Sequence, residues 1–327
     1  MSWSGKRVLV TGAGGFIGSR LTERLVELGA SVTAFVHYNA LGGSGWLDTS
    51  TVLPDVRVVA GYIVDRDSVR AAVENTEVVF HLAALIGIPY SYHAPASYVR
   101  VNIEGTLNVL QAAREVRVER LVHTSTSEVY GTAQHVPIDE AHPLQGQSPY
   151  SASKIGADKM AEAFHRSFGV PVVTVRPFNT YGPRQSLRAV IPTIISQCLG
   201  GGPIRLGNLR PTRDLNYVTD TVEAFVCAAD APDAIGATFN VGSGREISIG
   251  DLAALIARLA GRPLTVETED ARVRPPASEV DRLLADNGRA HSVLGWKSVV
   301  SLEEGLARTI AWVTDHQERY ASGVFTL

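Results

Sequence analysis

Cysteine is scarce in this sequence, which has only Cys198 and Cys227 among its 327 residues. Both lie in apparent helices, so they provide no disulfide framework and favour a reducing compartment. No apolar run approaches the roughly 18 residues that a membrane-spanning helix needs. Nor do Lys6 and Arg7 lead into the long apolar stretch of a signal peptide. Because the formal net charge is only −3, we expect a cytoplasmic protein that binds neither nucleic acid nor a membrane.

Short β-rich runs alternate with amphipathic helical patterns through the first half of the chain. This alternation predicts an α/β fold, with a parallel sheet that is covered by helices on both faces. The predicted strands are Arg7–Val10, Ser31–Val36, Val56–Ala60, Val78–Leu82, Leu121–Thr124 and Val170–Arg176. The predicted helices between them are Phe16–Leu28, Asp67–Val73, Tyr98–Val116 and Tyr150–Phe168.

The second half is less regular, and the length favours one large domain with a smaller lobe. We predict a loop-rich segment over 177–216 and loops where Pro and Gly cluster, at 200–211 and 261–276. The other predicted elements are a helix near Asp220–Ala229, a strand at Thr238–Val241, and helices at Ile249–Ala260 and Leu302–His316. The predicted large domain spans residues 1–175 plus about 217–241, and the smaller lobe spans 176–216 and 242–327.

A glycine-rich turn follows the first predicted strand and opens the first helix. Its glycines allow a tight turn, a close approach of the backbone to a pyrophosphate, and close helix–strand packing. The helix N-terminus then faces the phosphates with its partial positive charge. The strand–turn–helix context predicts a dinucleotide site formed by Gly12, Gly15, Phe16, Ile17 and Gly18.

The end of the second strand bears on which dinucleotide binds. An acid usually ends this strand in NAD enzymes, where it holds the ribose 2′-hydroxyl. Here Val36 takes that position, and His37 follows it. The missing acid removes a barrier to a 2′-phosphate, but no arginine replaces it. We expect His37 to contact either group or to cap the strand, and both NAD and NADP stay open.

Tyr150 and Lys154 lie one helical turn apart and therefore share a helix face. A lysine at this spacing stabilises a tyrosinate and holds the nicotinamide ribose. Tyr150 then becomes a usable base near neutral pH, although a free tyrosine titrates at about 10. A tyrosine and a lysine at this spacing usually just lie on a solvated helix face. The pair indicates a catalytic site only together with the motifs around it.

With these motifs, the chain resembles the extended short-chain dehydrogenase/reductases of the nucleotide-sugar epimerase/dehydratase family, nearly from end to end. Further motifs that carry the resemblance are His81–Ala84, Asn102 with Gly105–Thr106, Ser125–Gly131, Arg176–Asn179, Tyr181–Arg184, and Arg213–Asp214 with Tyr217–Val218 and Asp220. The resemblance implies a Rossmann-like doubly wound parallel sheet and a smaller α/β lobe that binds the nucleotide sugar. It also implies a tightly bound, recycled NAD or NADP, no metal, and a homodimer that pairs helices 98–116 and 150–168 in a four-helix bundle.

The resemblance further implies roles for single residues. The implied cofactor contacts beyond the glycine turn are His37, Asp65, Leu82, Ala83, Ala84, Asn102, Tyr150 and Lys154. The implied substrate contacts are Ile88, Tyr90, Glu128, Asn179, Arg184, Arg213 and Arg274. Thr126 would hydrogen-bond the sugar's 4-hydroxyl beside Tyr150. One departure is Tyr62, which stands where the family usually carries an aspartate that reads adenine.

Glu128, in the run Ser-Glu-Val-Tyr-Gly, separates the candidate reactions. A 4-epimerase only removes and returns a hydride at C4, and such relatives usually lack a carboxylate here. A 4,6-dehydratase also needs a base for the C5 proton, which oxidation at C4 makes acidic, while water leaves from C6. The run resembles the dehydratase pattern, with Glu128 as the C5 base. Ser127 stands where some dehydratases carry an acid, so the acid here is Glu128 itself or a water held by Ser127.

The resemblance is closest to dehydratases of nucleotide-linked N-acetylhexosamines, because of segments 35–39, 85–92 and 274–280. The tyrosine-rich loop 85–92 suits an acetamido methyl group, and it suits simple packing equally well. A UDP-glucuronate decarboxylase is an alternative, with Arg184, Arg188 or Arg274 holding the carboxylate. A 4-epimerase is another. A non-enzymatic dinucleotide sensor is a further alternative, but the presence of Tyr150, Lys154 and Glu128 argues against it.

Overall fold

A sheet of seven parallel strands forms the centre of the molecule. The computed structural model describes residues 2–320. The strands run in the order β3–β2–β1–β4–β5–β6–β10, and every neighbouring pair is parallel. They are β1 (Arg7–Thr11), β2 (Ser31–His37), β3 (Val56–Gly61), β4 (Val78–His81), β5 (Arg120–Thr124), β6 (Val172–Pro177) and β10 (Thr238–Val241). The order reverses between β1 and β4, which is where α/β sheets of this kind bind ligands.

Helices cover both faces of this sheet. The helices of the first two-thirds of the chain are α1 (Phe16–Glu27), α2 (Arg66–Val73), α3 (Ile88–His93), α4 (Pro95–Tyr98), α5 (Gly105–Val116), α6 (Pro149–Phe168), α7 (Val190–Leu199) and α8 (Val218–Asp230). Val8 and Val10 pack into the core on one face, while Leu9 packs into the core on the other. Burial on both sides explains why these strands read as continuous apolar runs. The predicted doubly wound fold is therefore confirmed.

Local signals fix the ends of the helix that carries Tyr150 and Lys154. Ser148 and Ser151 form a reciprocal capping box at the start of α6, and Pro149 occupies its first turn. Gly169 ends the helix in the left-handed conformation, with φ 68°. The predicted helix over 98–116 is divided, because a π-helical stretch, Val99–Glu104, separates α4 from α5. No helix within residues 2–320 is long and apolar enough to cross a membrane.

The smaller lobe contains more regular structure than its sequence predicts. The segment 177–216, which is predicted to be loop-rich, contains α7 and three strands, so it is more regular than predicted. The lobe's strands are β7 (Asn179–Tyr181), β8 (Ile204–Leu206), β9 (Thr212–Tyr217), β11 (Glu246–Ser248) and β12 (Val266–Thr268). They form the small sheets β11–β9–β7 and β12–β8. Helices α9 (Ile249–Leu259), α10 (Gly288–Leu294) and α11 (Leu302–Asp315) complete the lobe. The predicted domain boundaries stay a prediction.

Candidate active site

A cleft of about 1060 Å³ lies at the carboxyl edge of the central sheet, between the sheet and the smaller lobe. The glycine turn, the end of β2 and the loop after β4 line one end of it. Segment 124–128 and the first turns of α6 line its middle, and the smaller lobe closes the other end. Most of the predicted site residues meet here. Those that line the cleft are Gly12, Gly15, Phe16, Ile17, Gly18, His37, Leu82, Ala83, Ala84, Ile88, Thr126, Ser127, Glu128, Tyr150, Lys154, Asn179, Arg184, Arg213 and Arg274.

The glycine turn is shaped so that side chains are excluded at two of its positions. Gly12 has φ +72°, and a Cβ atom there would lie 2.9 Å from the backbone nitrogen of Ala83. A Cβ atom on Gly18 would lie 2.2 Å from the carbonyl oxygen of Gly12. Only glycine satisfies both constraints. The turn therefore leaves the N-terminus of α1 open to the cleft, which fits the diphosphate of a dinucleotide.

A buried histidine fixes the loop that borders the cleft after β4. The hydroxyl of Thr106 donates to the carbonyl of Asn102 (2.6 Å), so it accepts from Nε2–H of His81 (3.0 Å). The Thr11 hydroxyl donates to Nδ1 of His81 (2.8 Å) and accepts from the backbone N–H groups of Leu82 and Ala83 (3.1 and 3.2 Å). Burial lowers the pKa of His81 well below its usual value. A neutral His81 with one defined tautomer thus ties the loop to the glycine turn.

Two predicted cofactor residues lie outside the cleft lining. Asn102 is buried behind the loop, where its side chain bonds both backbone groups of Leu85 (2.8 and 3.0 Å) and the Ser153 hydroxyl (2.9 Å). It holds the loop in place from behind. The Asp65 carboxylate caps α2, because it accepts from the Asp67 N–H (3.1 Å). This helix-capping position does not support the prediction that Asp65 contacts the cofactor. Tyr62, the departure noted above, packs its ring 5.3 Å from that of His37.

Tyr150 and Lys154 are both buried at the middle of the cleft. The Lys154 ammonium donates to the carbonyl of Thr124 (2.6 Å). Burial lowers the pKa of Lys154 to about 8, against the opposing effect of Asp158. Burial raises the pKa of Tyr150 above its usual value; the Thr126 hydroxyl lowers it and the charge of Glu128 raises it. The phenol therefore becomes a base only beside a positive charge, which the Lys154 ammonium can supply.

The segment that follows β5 brings a hydroxyl and a carboxylate to Tyr150. Thr126 is the N-cap of a 3₁₀ helix, Ser127–Tyr130, and its Oγ1 accepts from the Glu128 N–H (3.2 Å). Glu128 is only 9% exposed, and its charge also acts on Arg213 across the cleft. Thr126, Glu128 and Tyr150 therefore meet, as the sequence predicts. Ser127 is also buried and lines the same part of the cleft.

A buried carboxylate behind this segment was missed by the sequence analysis. Asp158 accepts hydrogen bonds from the Ser125 hydroxyl (2.7 Å) and from Nε2–H of His123 (3.1 Å). It also pairs with Nε and Nη2 of Arg176 (3.2 and 3.0 Å). Burial would raise the pKa of Asp158, but His123, Arg176 and Lys154 together lower it to about 2. The one sequence signal was its position four residues after Lys154, on the same helix face.

This carboxylate anchors segment 125–130 at both ends. At the near end, Ser125 bonds Asp158 directly. At the far end, Nη1 of Arg176 donates to the Tyr130 hydroxyl (2.9 Å), which in turn donates to Asn240 Oδ1 (2.7 Å). Residues 126–128 thus span two fixed points, which limits how far Thr126 and Glu128 can move.

Cationic and amide side chains gather at the smaller-lobe end of the cleft. Glu279 Oε1 lies 3.6 Å from Arg213 Nη2 and 3.7 Å from Arg274 Nη1. The Nδ2 atom of Asn179 is buried without a hydrogen-bond partner among residues 2–320. This unpaired amide donor lines the same cleft as the two guanidinium groups, which share the Glu279 carboxylate, and the set fits an anionic ligand such as a diphosphate.

Two predicted substrate contacts are placed differently. The Arg184 guanidinium donates to the Ser19 hydroxyl (3.0 Å) and pairs with Glu23 (2.8 Å). Its charge is therefore used within the protein, against α1, and this does not support a role with substrate. Tyr90 lies on α3, is 39% exposed and is outside the cleft lining, whereas its neighbour Ile88 lines the cleft.

The fold and this cleft define a dinucleotide-dependent enzyme with a Tyr–Lys pair, of the short-chain dehydrogenase/reductase type. The family model for GDP-mannose 4,6-dehydratase matches residues 9–309. The chain therefore belongs to that family, in which relatives are NAD-dependent nucleotide-sugar epimerases and dehydratases. The resemblance seen in the sequence is confirmed.

Relatives from both reaction classes resemble this chain. A UDP-glucose 4-epimerase from Mycolicibacterium smegmatis is 36% identical over 93% of this chain and 97% of its own. DesIV, the dTDP-glucose 4,6-dehydratase of Streptomyces venezuelae, was solved with NAD; its TM-score is 0.85 at 29% identity, over 95% of this chain and 98% of its own. The UDP-glucuronic acid 4-epimerase of Bacillus cereus was solved with UDP-glucuronic acid and NAD. Its TM-score is 0.88 at 27% identity, over 95% of this chain and 99% of its own.

Proposed function

We propose that this chain is a nucleotide-sugar 4,6-dehydratase that acts on a nucleotide-linked N-acetylhexosamine. The observation that carries the proposal is the Glu128 carboxylate, which is buried in the cleft beside Tyr150 and Thr126. Oxidation and reduction at C4 alone need no such group. A carboxylate that lines the same cleft as Tyr150 and whose charge acts on it is suited to a second proton transfer, from the neighbouring carbon.

The proposed reaction assigns each proton to a residue. Tyr150 takes the proton of the sugar's 4-hydroxyl, while Thr126 orients that hydroxyl and Lys154 stabilises the tyrosinate. When bound in the cradle of the glycine turn, a nicotinamide dinucleotide would supply the hydride acceptor for C4 and the hydride donor for C6. Glu128 takes the C5 proton, which the C4 carbonyl has made acidic. The C6 hydroxyl leaves as water after protonation by Glu128, which passes on the C5 proton, or by a water that Ser127 holds. C5 then takes a proton from Glu128, or from solvent where Glu128 has already served as the acid, and Tyr150 releases the proton of the 4-hydroxyl to solvent, so the net change is the loss of one water.

We propose NAD as the cofactor, tightly bound and recycled. The glycine turn and the loop held by His81 form a cradle that fits a dinucleotide. Segment 31–46 comprises β2 and the chain that follows it up to Trp46. It contains no lysine or arginine that could pair with a 2′-phosphate. Relatives solved with NAD support the same choice.

The remaining assignments are also proposals. We expect the smaller lobe to hold the nucleotide diphosphate through Asn179, Arg213 and Arg274. We expect a cytoplasmic homodimer that pairs α5 and α6 with their copies in a four-helix bundle. Exposed apolar residues at the edges of this region, Val99 (54% exposed) and Phe168 (48%), favour such a contact.

A 4-epimerase is the second candidate, favoured by the 36% identity to a UDP-glucose 4-epimerase. The two reactions give products of different mass. Purified protein incubated with UDP-N-acetylglucosamine, UDP-glucose, dTDP-glucose and UDP-glucuronate would lose one water per sugar in a dehydration. A decarboxylation would lose CO₂ instead, and an epimerisation would leave the mass unchanged.

The Glu128→Gln variant tests the role of the carboxylate directly. Glutamine keeps the size and the hydrogen bonds but cannot accept the C5 proton. Oxidation at C4 uses Tyr150, Lys154 and Thr126 and should survive, so the absorbance of reduced cofactor should build up. Dehydrated product and deuterium exchange at C5 should fall by about 10²- to 10⁴-fold.

The matched control is Glu74→Gln, which makes the same change at an exposed position outside the cleft. It should behave as wild type. Full dehydratase activity in Glu128→Gln would contradict the proposal and show that the Glu128 carboxylate is not needed for the reaction.

A further inference from the structure

The segment from Tyr38 to Trp46, which we call the strap, lies directly against the glycine turn. The backbone N–H of Trp46 donates to the carbonyl of Gly14 (3.0 Å). A Cβ atom on Gly14 would lie 2.5 Å from the carbonyl oxygen of Ser44, and one on Gly45 would lie 2.3 Å from that of Gly14. The two backbones are therefore in contact, with no room for a side chain between them.

The strap has a defined internal structure although it contains no regular strand or α-helix. The Asn39 side chain donates to the carbonyl of Gly43 (2.8 Å) and accepts from the Leu41 N–H (3.1 Å). The Asp48 carboxylate accepts from the Ser44 N–H (2.8 Å). The Asn39 bonds fold the strap on itself, and the Asp48 bond fixes its end to the residues that follow.

The C-terminal part of the smaller lobe holds the strap from the other side. The Trp46 ring meets the Trp312 ring of α11 edge-on, with centroids 5.9 Å apart. The Arg319 guanidinium lies 4.8 Å from the centroid of the Trp46 ring. His316 stacks on Trp312 at 3.8 Å. We call Trp46, Trp312 and Arg319 the clasp; it joins the two lobes across the glycine-turn end of the cleft.

We propose that the clasp closes this end of the cleft over the bound dinucleotide and sets the rate at which NAD leaves, with Trp46 and Arg319 as cofactor contacts. Both side chains line the cleft together with Gly14 and Gly15. Arg319 brings a positive charge to the end where the N-terminus of α1 receives a diphosphate. Trp46 brings an aromatic face beside it.

Release of the dinucleotide then requires the strap to part from α11. That motion separates the Trp46 and Trp312 rings and withdraws the Arg319 charge. A reaction that returns its hydride to the sugar needs no exchange of cofactor between turnovers, so slow release is compatible with catalysis. The inference rests on dinucleotide binding by the family fold and is the same for a dehydratase and an epimerase.

The test measures dinucleotide release without any sugar. Protein loaded with NADH is mixed with a large excess of NAD, and the loss of the fluorescence of bound NADH gives the dissociation rate. Trp312→Leu and Arg319→Gln should each release NADH about tenfold faster than wild type or more. Release from wild type should also quicken with added salt, and Arg319→Gln should show a weaker salt effect.

The control is Arg308→Gln, which removes the same charge from an exposed position on α11, where the guanidinium pairs with Glu304 and lies over the Tyr217 ring. Its release rate should match that of wild type. Since Arg319 is exposed, its variant should fold normally even if Trp312→Leu lowers the melting temperature. Release within about twofold of wild type in both clasp variants would overturn the proposal. Fast release in Trp312→Leu alone would overturn Arg319 as a cofactor contact.

Discussion

Replacing Asp158 with asparagine removes the carboxylate that anchors the segment bearing Thr126 and Glu128. The substitution preserves the side-chain size but leaves the Arg176 guanidinium, only 6% exposed, without its counter-charge. Breaking one partner of a buried ion pair typically costs about 3–5 kcal/mol. We expect the free energy of unfolding at neutral pH to fall by about this amount.

The loss should depend on pH in a defined window. The pKa of Asp158 is about 2 in the folded protein and about 3.8 in its unperturbed form. A difference of roughly two pKa units corresponds to about 2.5 kcal/mol. Because the folded pKa is depressed, this stability is fully present above about pH 4 and is lost as the pH falls through about 2. The difference in the free energy of unfolding between wild type and Asp158→Asn should therefore decrease as the pH falls from about 4 to about 2.

Urea-induced unfolding, followed by circular dichroism at a series of pH values, measures this gap. Asp233→Asn, the same change at an exposed position, should stay within about 0.5 kcal/mol of wild type. Adding Arg176→Met to Asp158→Asn removes the unpaired charge and should recover part of the stability. A loss below about 1 kcal/mol at neutral pH, or a gap that does not change with pH, would refute the anchoring role.

Three further outcomes follow from the cleft. Tyr150→Phe should lower turnover by about 10²- to 10⁴-fold with the dinucleotide still bound, because it removes the base but keeps the ring; near-normal turnover would contradict the assignment. The purified protein should carry bound dinucleotide and turn over without added cofactor, and stoichiometric consumption of NAD would indicate an ordinary dehydrogenase. Turnover should decline as the pH rises through about 8, because burial lowers the pKa of Lys154 to about 8 and the ammonium is then lost. A rate that stays flat to about pH 10 would show that this ammonium is not needed.

The central sheet could be predicted from the sequence because its signals are local. Apolar runs of four to seven residues, separated by amphipathic stretches, occur once per β–α unit. The glycine turn is equally local, since Gly12 and Gly18 meet each other within seven residues. Apart from the divided helix over 98–116, the ends of the predicted strands and helices lie within two residues of the observed ends, as is usual for assigned boundaries.

In the smaller lobe, helices α9 and α11 follow the prediction, whereas segment 177–216 does not, because its strands are short and their pairings are distant. Strands β7 and β8 have only three residues each, too few for an alternating pattern. Strand β9 can be recognised only from its pairing with β7 and β11, which the sequence alone does not show. Proline and glycine around these strands predict loops, and the tertiary pairing overrides that preference.

Charged side chains were the hardest to assign, because a sequence does not give their partners. Arg184 lies within a family motif, yet its charge meets Glu23, 161 residues earlier in the chain. Asp158 looks like an ordinary helix residue until Ser125, His123 and Arg176 converge on it. Whether a charged side chain pairs within the protein or is open to a ligand depends on its burial and its neighbours, and these depend on the whole structure.

The choice between reactions depends on a small part of this cleft. Removal of a hydride at C4 is common to dehydration and epimerisation, so the sheet, the glycine turn and the Tyr150–Lys154 pair serve either one. Only the next step differs, and it takes place at C5 and C6 of the sugar. Glu128 is a buried carboxylate whose charge acts on both Tyr150 and Arg213. We therefore infer that residues 126–128, held at both ends by the Asp158 network, decide the reaction. A Glu128→Gln variant that still formed dehydrated product at the wild-type rate would place that decision elsewhere.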